Sequence, residues 1–234
     1  LDSAALERAI RFAIDRKQSE SELARLAHYD SLTGIPNRLL FNDRLDRALQ
    51  RASRGDKPFA LLYVDLDGFK AINDKYGHDK GDVVVQGVAT RLSECIRRTD
   101  SVARIGGDEF TVLLERVSSI ADTVAIAQKI IDVVAEPFNL DGLHARVGCS
   151  IGIAMYPEAG SDGQTLLRHA DMAMYEAKGI AGSNYRFFTD RLNLQAIDQT
   201  RIESELRTAL SGDELSLYFQ PRISLRTGRV VGAE

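Results

Sequence analysis

The chain has 234 residues, of which 44% are hydrophobic and 27% charged, and a formal net charge of −4. This is the composition of a soluble globular protein with room for one sizeable domain plus attachments. The slightly acidic balance excludes a general basic surface for nucleic acid, and no apolar run approaches the roughly 18 residues of a membrane span.

Residues 1–27 read as a helix. Leu6, Ala9, Ile10 and Ala13 form an apolar stripe that resumes at Leu23, Leu26 and Ala27 beyond the polar run Arg16 to Glu22. An interrupted stripe suits a connecting stalk that pairs with another chain better than a core helix. The loop Asp30-Ser31-Leu32-Thr33-Gly34-Ile35-Pro36-Asn37-Arg38 leads into a helix over 38–53, with Leu39, Leu40, Leu45, Ala48 and Leu49 inward. Gly55-Asp56-Lys57-Pro58 breaks it. Phe59 to Val64 is a continuous apolar run, the pattern of a central strand covered on both faces, and it ends in Asp65-Leu66-Asp67-Gly68.

A short helix over 69–76 is closed by Gly77-His78, and another spans 81–96. Apolar-alternating residues on both sides of Arg104-Ile105-Gly106-Gly107-Asp108-Glu109-Phe110 predict a hairpin whose paired glycines supply positive φ. A helix from Ser118-Ser119-Ile120 to Ala135 is stopped by Pro137. Phe138 to Leu140 and Arg146 to Met155 read as a second hairpin turning at Asp141-Gly142. The helix over 164–178 has Met172, Met174 and Tyr175 as core, and Tyr185 to Phe188 is an edge strand. Beyond Thr189 follow a polar helix (191–210) and strands over 215–220 and 229–232 around Arg226-Thr227-Gly228, with too little apolar content to fold alone. The order of elements predicts an α/β (α+β) sandwich on a central, mostly antiparallel sheet flanked by helices. Cys95 and Cys149 lack metal-ligand spacing and read as buried free thiols of a cytoplasmic protein. The chain opens without methionine inside a helical pattern and closes in a strand-like segment, so it is read as a fragment of a longer, modular protein.

Asp65 ends a buried strand, where a charge is costly unless a cation pairs with it. If the hairpin lies alongside, Asp65 and Asp108 converge and the Leu66 carbonyl offers a third oxygen; few protein oxygens plus substrate phosphates is the usual way to hold Mg²⁺. Asp67 reads as a helix N-cap. Gly106 and Gly107 leave the hairpin tip open to close approach by a bulky anionic ligand, although a solvated turn has the same composition. Asn73 and Asp82 flank Gly77-His78-Asp79-Lys80-Gly81, and an amide with a carboxylate matches the hydrogen-bonding edge of guanine. His78 has no neighbouring nucleophile and reads as packing or capping. Lys178 is either a phosphate cation or a solvated lysine at a helix C-terminus.

Four co-ordered motifs carry a resemblance. Asp30-x-Leu-Thr-Gly-Ile-Pro-Asn-Arg38, Asp65-Leu-Asp-Gly-Phe-Lys-x-Ile-Asn-Asp74, Gly77-His-x-x-Gly-Asp82 and Arg104-x-Gly-Gly-Asp-Glu-Phe110 together resemble the GGDEF family of diguanylate cyclases over residues 28–189. Leu217-Tyr-Phe-Gln-Pro221 and Gly232-Ala-Glu234 resemble the opening of an EAL phosphodiesterase domain, which would occupy 190–234 with its connecting helix. Residues 1–27 resemble the linker that follows an upstream sensor or receiver domain.

The resemblance implies a nucleotidyl-cyclase-like fold with a five-stranded sheet and a Mg²⁺-dependent (or Mn²⁺-dependent) condensation of two GTP into cyclic di-GMP. Asp65, the Leu66 carbonyl and Asp108 would bind the metal, and Asn73 and Asp82 would read guanine with Leu32 against the base. Backbone amides at Phe69 and Lys70, with Lys178, would hold the triphosphate, and Asp108 and Glu109 would act on the attacking 3′-hydroxyl. Catalysis would require an antiparallel homodimer. Arg97 and Asp100 would be the ends of an RxxD site for inhibitory product. One departure stands out: where the family places a second phosphate-binding arginine, this chain has Gly182 or, with one residue inserted, Ser183.

Overall fold

A computed structural model describes residues 11–12, 14, 16–17, 25–55, 57–180, 182–189, 191, 194, 201–202, 205–206, 208–209, 212 and 218–233. They belong to two units that divide between Leu194 and Gln195. In the first, helix α1 (Arg38–Ala52) is followed by β1 (Ala60–Asp67), α2 (Phe69–Tyr76), α3 (His78–Cys95), β2 (Ser101–Gly106) and β3 (Glu109–Leu114). Then come α4 (Ile120–Ala135), β4 (Phe138–Leu140), β5 (Leu143–Ala145), β6 (Gly148–Met155), α5 (Gly163–Lys178) and β7 (Asn184–Phe187).

The five-stranded sheet has the order β2-β3-β1-β6-β7. β1 is its centre, antiparallel to both β3 and β6, and β7 closes the far edge parallel to β6. This position explains the unbroken apolar run of β1, because neither of its faces meets water. Leu61 and Tyr63 face a cluster built from Phe41, Leu45 and Ala48 of α1 and Leu166, Ala170 and Met174 of α5. Leu62, Val64 and Leu66 alternate to the opposite face, where α3 and α4 pack on each other.

Local chemistry fixes the helix ends. The Asn37 side chain accepts from Leu40 N–H at the start of α1, and Ser119 with Asp122 forms a capping box on α4. Arg91 of α3 donates to the carbonyls of Val133, Glu136 and Pro137, where α4 ends, and lies 3.7 Å from the Phe138 ring centroid. The carbonyls left over at a helix C-terminus are thus partnered by one guanidinium.

The predicted α/β architecture holds, with local differences. β1 continues through Asp65 to Asp67, because β6 supplies partners up to Asp67↔Gly148. α3 begins at His78, three residues early, because Gly77 can adopt the φ of 84° that joins α2 to α3. Phe138–Leu140 does not pair with β6; it makes a small separate hairpin with β5, and β6 enters the central sheet. On α1 Leu39 is 58% exposed, and Phe41 is buried with the expected Leu45 and Ala48. Of the three α5 residues expected in the core, Met174 is buried, whereas Met172 and Tyr175 are exposed. Both cysteines are buried and free.

In the second unit β8 (Pro221–Ile223) pairs antiparallel with β9 (Val230–Ala233), and both are exposed. The predicted strand over 215–220 is displaced: 215–217 lie outside the described residues, and pairing begins at Pro221. Leu217 and Glu234, most of the predicted helix over 191–210, and the stripe residues Leu6, Ala9, Ile10, Ala13 and Leu23 also lie outside them.

Candidate active site

The hairpin tip stands beside the end of β1. Asp65 has Glu109 of β3 and Ser150 of β6 as its cross-strand partners, and Leu66 N–H donates to the Asp108 carbonyl at 3.3 Å. Of the two glycines only Gly107 has positive φ (53°), so one left-handed residue suffices for the turn, aided by a register shift between Arg104 and Gly106. Arg104 braces it: Nε and Nη2 donate to the Gly107 carbonyl at 3.0 and 2.8 Å, and Nη1 to Asp30 at 3.0 Å.

Asp30 also accepts from the Thr33 amide and hydroxyl. Burial opposes its charge, but Thr33 and Arg104 together hold its carboxyl below the usual carboxylate range. Gln86 of α3 donates to the Leu32 carbonyl at 3.0 Å. Leu32, half-buried, is therefore set between the hairpin and α3.

Asp65 is only 6% exposed and pairs with the Lys178 ammonium at 2.7 Å. Burial pushes its pKa up, with Asp108 and Glu109 adding to the shift, while Lys178 opposes it. For Lys178, burial favours the neutral amine, but Asp65, Asp108 and Asp67 outweigh it and raise the pKa. The ammonium touches the acid cluster, in the place where a cation is wanted. Asp67 is not the cap of α2. That position is Gly68, at φ 76°, with no side-chain cap, and Asp67 instead accepts from Ser150 Oγ at 2.9 Å. The amides of Phe69 and Lys70 sit in the uncapped first turn of α2, where helix geometry leaves N–H groups unpaired.

Asn73 of α2 has a buried Oδ1 without a hydrogen-bond partner. Leaving such an atom unpartnered costs about 1–3 kcal/mol, which a ligand donor at this spot would relieve. Gly81 makes room for it: a Cβ there would overlap the Asn73 amide and lie 3.3 Å from the Phe69 ring. Asp82, next in the chain, is exposed. If Asn73 contacts the guanine that the resemblance implies, Gly81→Ala weakens GTP binding by about ten- to a hundredfold while shifting Tm by only a few degrees. Calorimetry beside a melting curve measures both, and unchanged affinity would remove Asn73 from the site.

Arg97 and Asp100 lie at the other end of β2 from the hairpin tip, roughly 17 Å away at strand rise. Arg97 is exposed, whereas the carboxylate of Asp100 is buried and accepts from the amides of Arg97 and Glu115, both at 3.1 Å. The Ser183 Oγ accepts from Cys149 N–H at 3.0 Å, and Ser183 borders an open cavity of about 430 Å³ with Lys178, Asp67 and Ser150.

Three structural partners escaped the sequence reading. Tyr63 sat inside an apolar run, yet its hydroxyl donates to Glu109 Oε2 at 3.1 Å, and burial followed by the Glu109 charge pushes its pKa up. Ser150 and the Arg104–Asp30 pair carry no local signal, since each joins residues more than 70 positions apart.

Among the described residues no group of three or more His, Cys, Asp or Glu side chains could hold a metal alone. Two hard carboxylates, Asp65 and Asp108, near a backbone strand end fit an ion that takes its remaining ligands from substrate phosphates and water. No helix of the described residues is long and apolar enough to cross a membrane.

The family model described as "Diguanylate cyclase, GGDEF domain" matches residues 27–184. The bifunctional diguanylate cyclase/cyclic di-GMP phosphodiesterase MucR of Pseudomonas aeruginosa is 40% identical over 234 residues, all of this chain and 34% of MucR. The cyclic di-GMP phosphodiesterase NbdA of the same organism is 36% identical over 212 residues, 91% of this chain and 27% of NbdA. Diguanylate cyclase TpbB, also of P. aeruginosa, is 46% identical over 173 residues, 73% of this chain and 40% of TpbB. A crystal structure of the TpbB GGDEF domain superposes with a TM-score of 0.65 at 45% identity, covering 66% of this chain and 97% of that domain. The chain thus spans well under half the length of these relatives.

Proposed function

The chain belongs to the GGDEF family of diguanylate cyclase domains, and from that premise we propose that it condenses two GTP into cyclic di-GMP with release of two pyrophosphates. The observation that carries this reading is the meeting of Asp65, Asp108, Glu109 and Lys178 at one end of the sheet. Asp65, Asp108 and the Leu66 carbonyl would hold Mg²⁺ or Mn²⁺. Such an ion, when bound, neutralises phosphate charge and favours attack at phosphorus.

The chain's own groups do the rest. Asn73 and Asp82 orient guanine with Leu32 against its face, the Phe69 and Lys70 amides and Lys178 hold the triphosphate, and the glycines at 106 and 107 keep the tip open. Asp108 and Glu109 draw the proton from the 3′-hydroxyl. Its oxygen bonds to the α-phosphorus of the GTP held by a second copy, and pyrophosphate leaves. Two copies must therefore face each other antiparallel. Residues 28–189 are the catalytic domain, 1–27 its link to an upstream sensor or receiver domain, and 190–234 the opening of an EAL domain. The proposed setting is the cytoplasm, and this fragment would have no phosphodiesterase activity of its own.

Product inhibition through Arg97 and Asp100 is part of the proposal. Because Asp100 already ties two backbone amides, Arg97→Ala is the clean probe. Synthesis should continue past the point where the unaltered chain stalls, with Tm unchanged. Stalling at the same product concentration would count against the site.

A second reading is a GTP-binding module that regulates a fused phosphodiesterase without turning over. Gly182 (or, with one residue inserted, Ser183) in place of an arginine favours it, as does the likeness to NbdA. Incubation with GTP and Mg²⁺, with nucleotides resolved by chromatography, separates the two. Cyclic di-GMP supports the cyclase; bound GTP without product, at high protein concentration, supports the module.

A further inference from the structure

The Glu109 side chain occupies an awkward position. Its cross-strand partner is Asp65 and its chain neighbour is Asp108, so two like charges urge it outward. A glutamate also has the rotamer freedom to comply. One neutral donor opposes this. Tyr63 lies two residues before Asp65 on the same face of β1, a diagonal neighbour of Glu109 across the β1–β3 ladder, and its hydroxyl reaches Glu109 Oε2 at 3.1 Å. The Tyr63 ring is fixed in the core cluster with Phe41, Leu45 and Met174 and is 8% exposed. The donor therefore comes from a rigid base, unlike the acid it holds.

We propose that Tyr63 is a positioning residue, which pins the Glu109 carboxylate over the sheet end so that it faces the reacting 3′-hydroxyl. The inference rests on the cyclase reading above, and goes beyond it by giving a core side chain a share in the rate. Tyr63 lines an open cavity of about 260 Å³ with residues of α1 and α5. Removing the oxygen alone thus leaves the ring packed and no sealed void.

The test compares the unaltered chain, Tyr63→Phe, Glu109→Asp and the double variant for kcat, KM and Tm, with GTP affinity by calorimetry. Loss of a hydrogen bond to a charged group predicts that Tyr63→Phe lowers kcat by about ten- to a hundredfold while KM stays within about twofold. GTP affinity and Tm should hold. In the Glu109→Asp background, whose shorter carboxylate no longer reaches Tyr63, the further loss should be less than about twofold. An unchanged kcat in Tyr63→Phe overturns the proposal. So does an equal loss in both backgrounds, or a loss matched by falling affinity and Tm, since each places Tyr63 elsewhere in the energetics. If the unaltered chain forms no product, the cyclase reading itself fails, and the role assigned to Tyr63 falls with it.

Discussion

Asp108→Asn is expected to reduce cyclic di-GMP formation by at least about a thousandfold, because on the proposed reading the charge it removes would anchor an ion whose electrostatic contribution is several kcal/mol. Among the described residues its carboxylate takes no hydrogen bond, and the turn beside it is held by Arg104 and Gly107 instead. The substitution should therefore leave Tm within about 2 °C, in line with a surface change of about 0.5 kcal/mol or less. Turnover and melting are read on the same preparation. Product formed at more than a tenth of the original rate would remove Asp108 from the chemistry. The matching change at Asp65 would be less clean: it strips a buried partner from Lys178, so activity and packing would fall together.

That contrast marks what the sequence could tell. The hairpin, the central strand and the strong helices were legible because hydrophobic period and turn residues are local signals. Asp65 beside the hairpin was legible too, since a charge closing a buried strand has few physical justifications. The errors came where pairing overrode local pattern. Phe138–Leu140 looked like one arm of a hairpin with the long apolar strand that follows it, but that strand has β1 to pair with, so the short arm took Leu143–Ala145. Asp67 resembled a cap because it precedes a helix; Ser150, 83 positions away, claims it. Tyr63 was hidden in plain apolar company. Its hydroxyl has meaning only once β3 is placed alongside, and nothing in residues 59–64 encodes that neighbour.

Gly152→Ala should be strongly destabilising. A Cβ on this β6 residue would overlap the Ala170 carbonyl oxygen and the Met174 backbone nitrogen of α5. These are backbone atoms, so no rotamer change relieves the clash; the helix must lift from the sheet. Overpacking of this kind costs about 1–3 kcal/mol or more, which at this chain length lowers Tm by roughly 2–12 °C. The consequence extends to the site. Met174 and Lys178 share a face of α5, one turn apart, and Ser150, two residues before Gly152, is the cross-strand partner of Asp65. A helix displaced at Met174 carries the ammonium away from Asp65, so GTP affinity should fall even at temperatures where the variant is fully folded. A melting curve and calorimetry at 10 °C below the variant's own Tm measure the two effects separately. A lower Tm with full affinity would count against the proposed contact of Lys178 with the nucleotide; an unchanged Tm would show that α5 does not lie against β6 as closely as described.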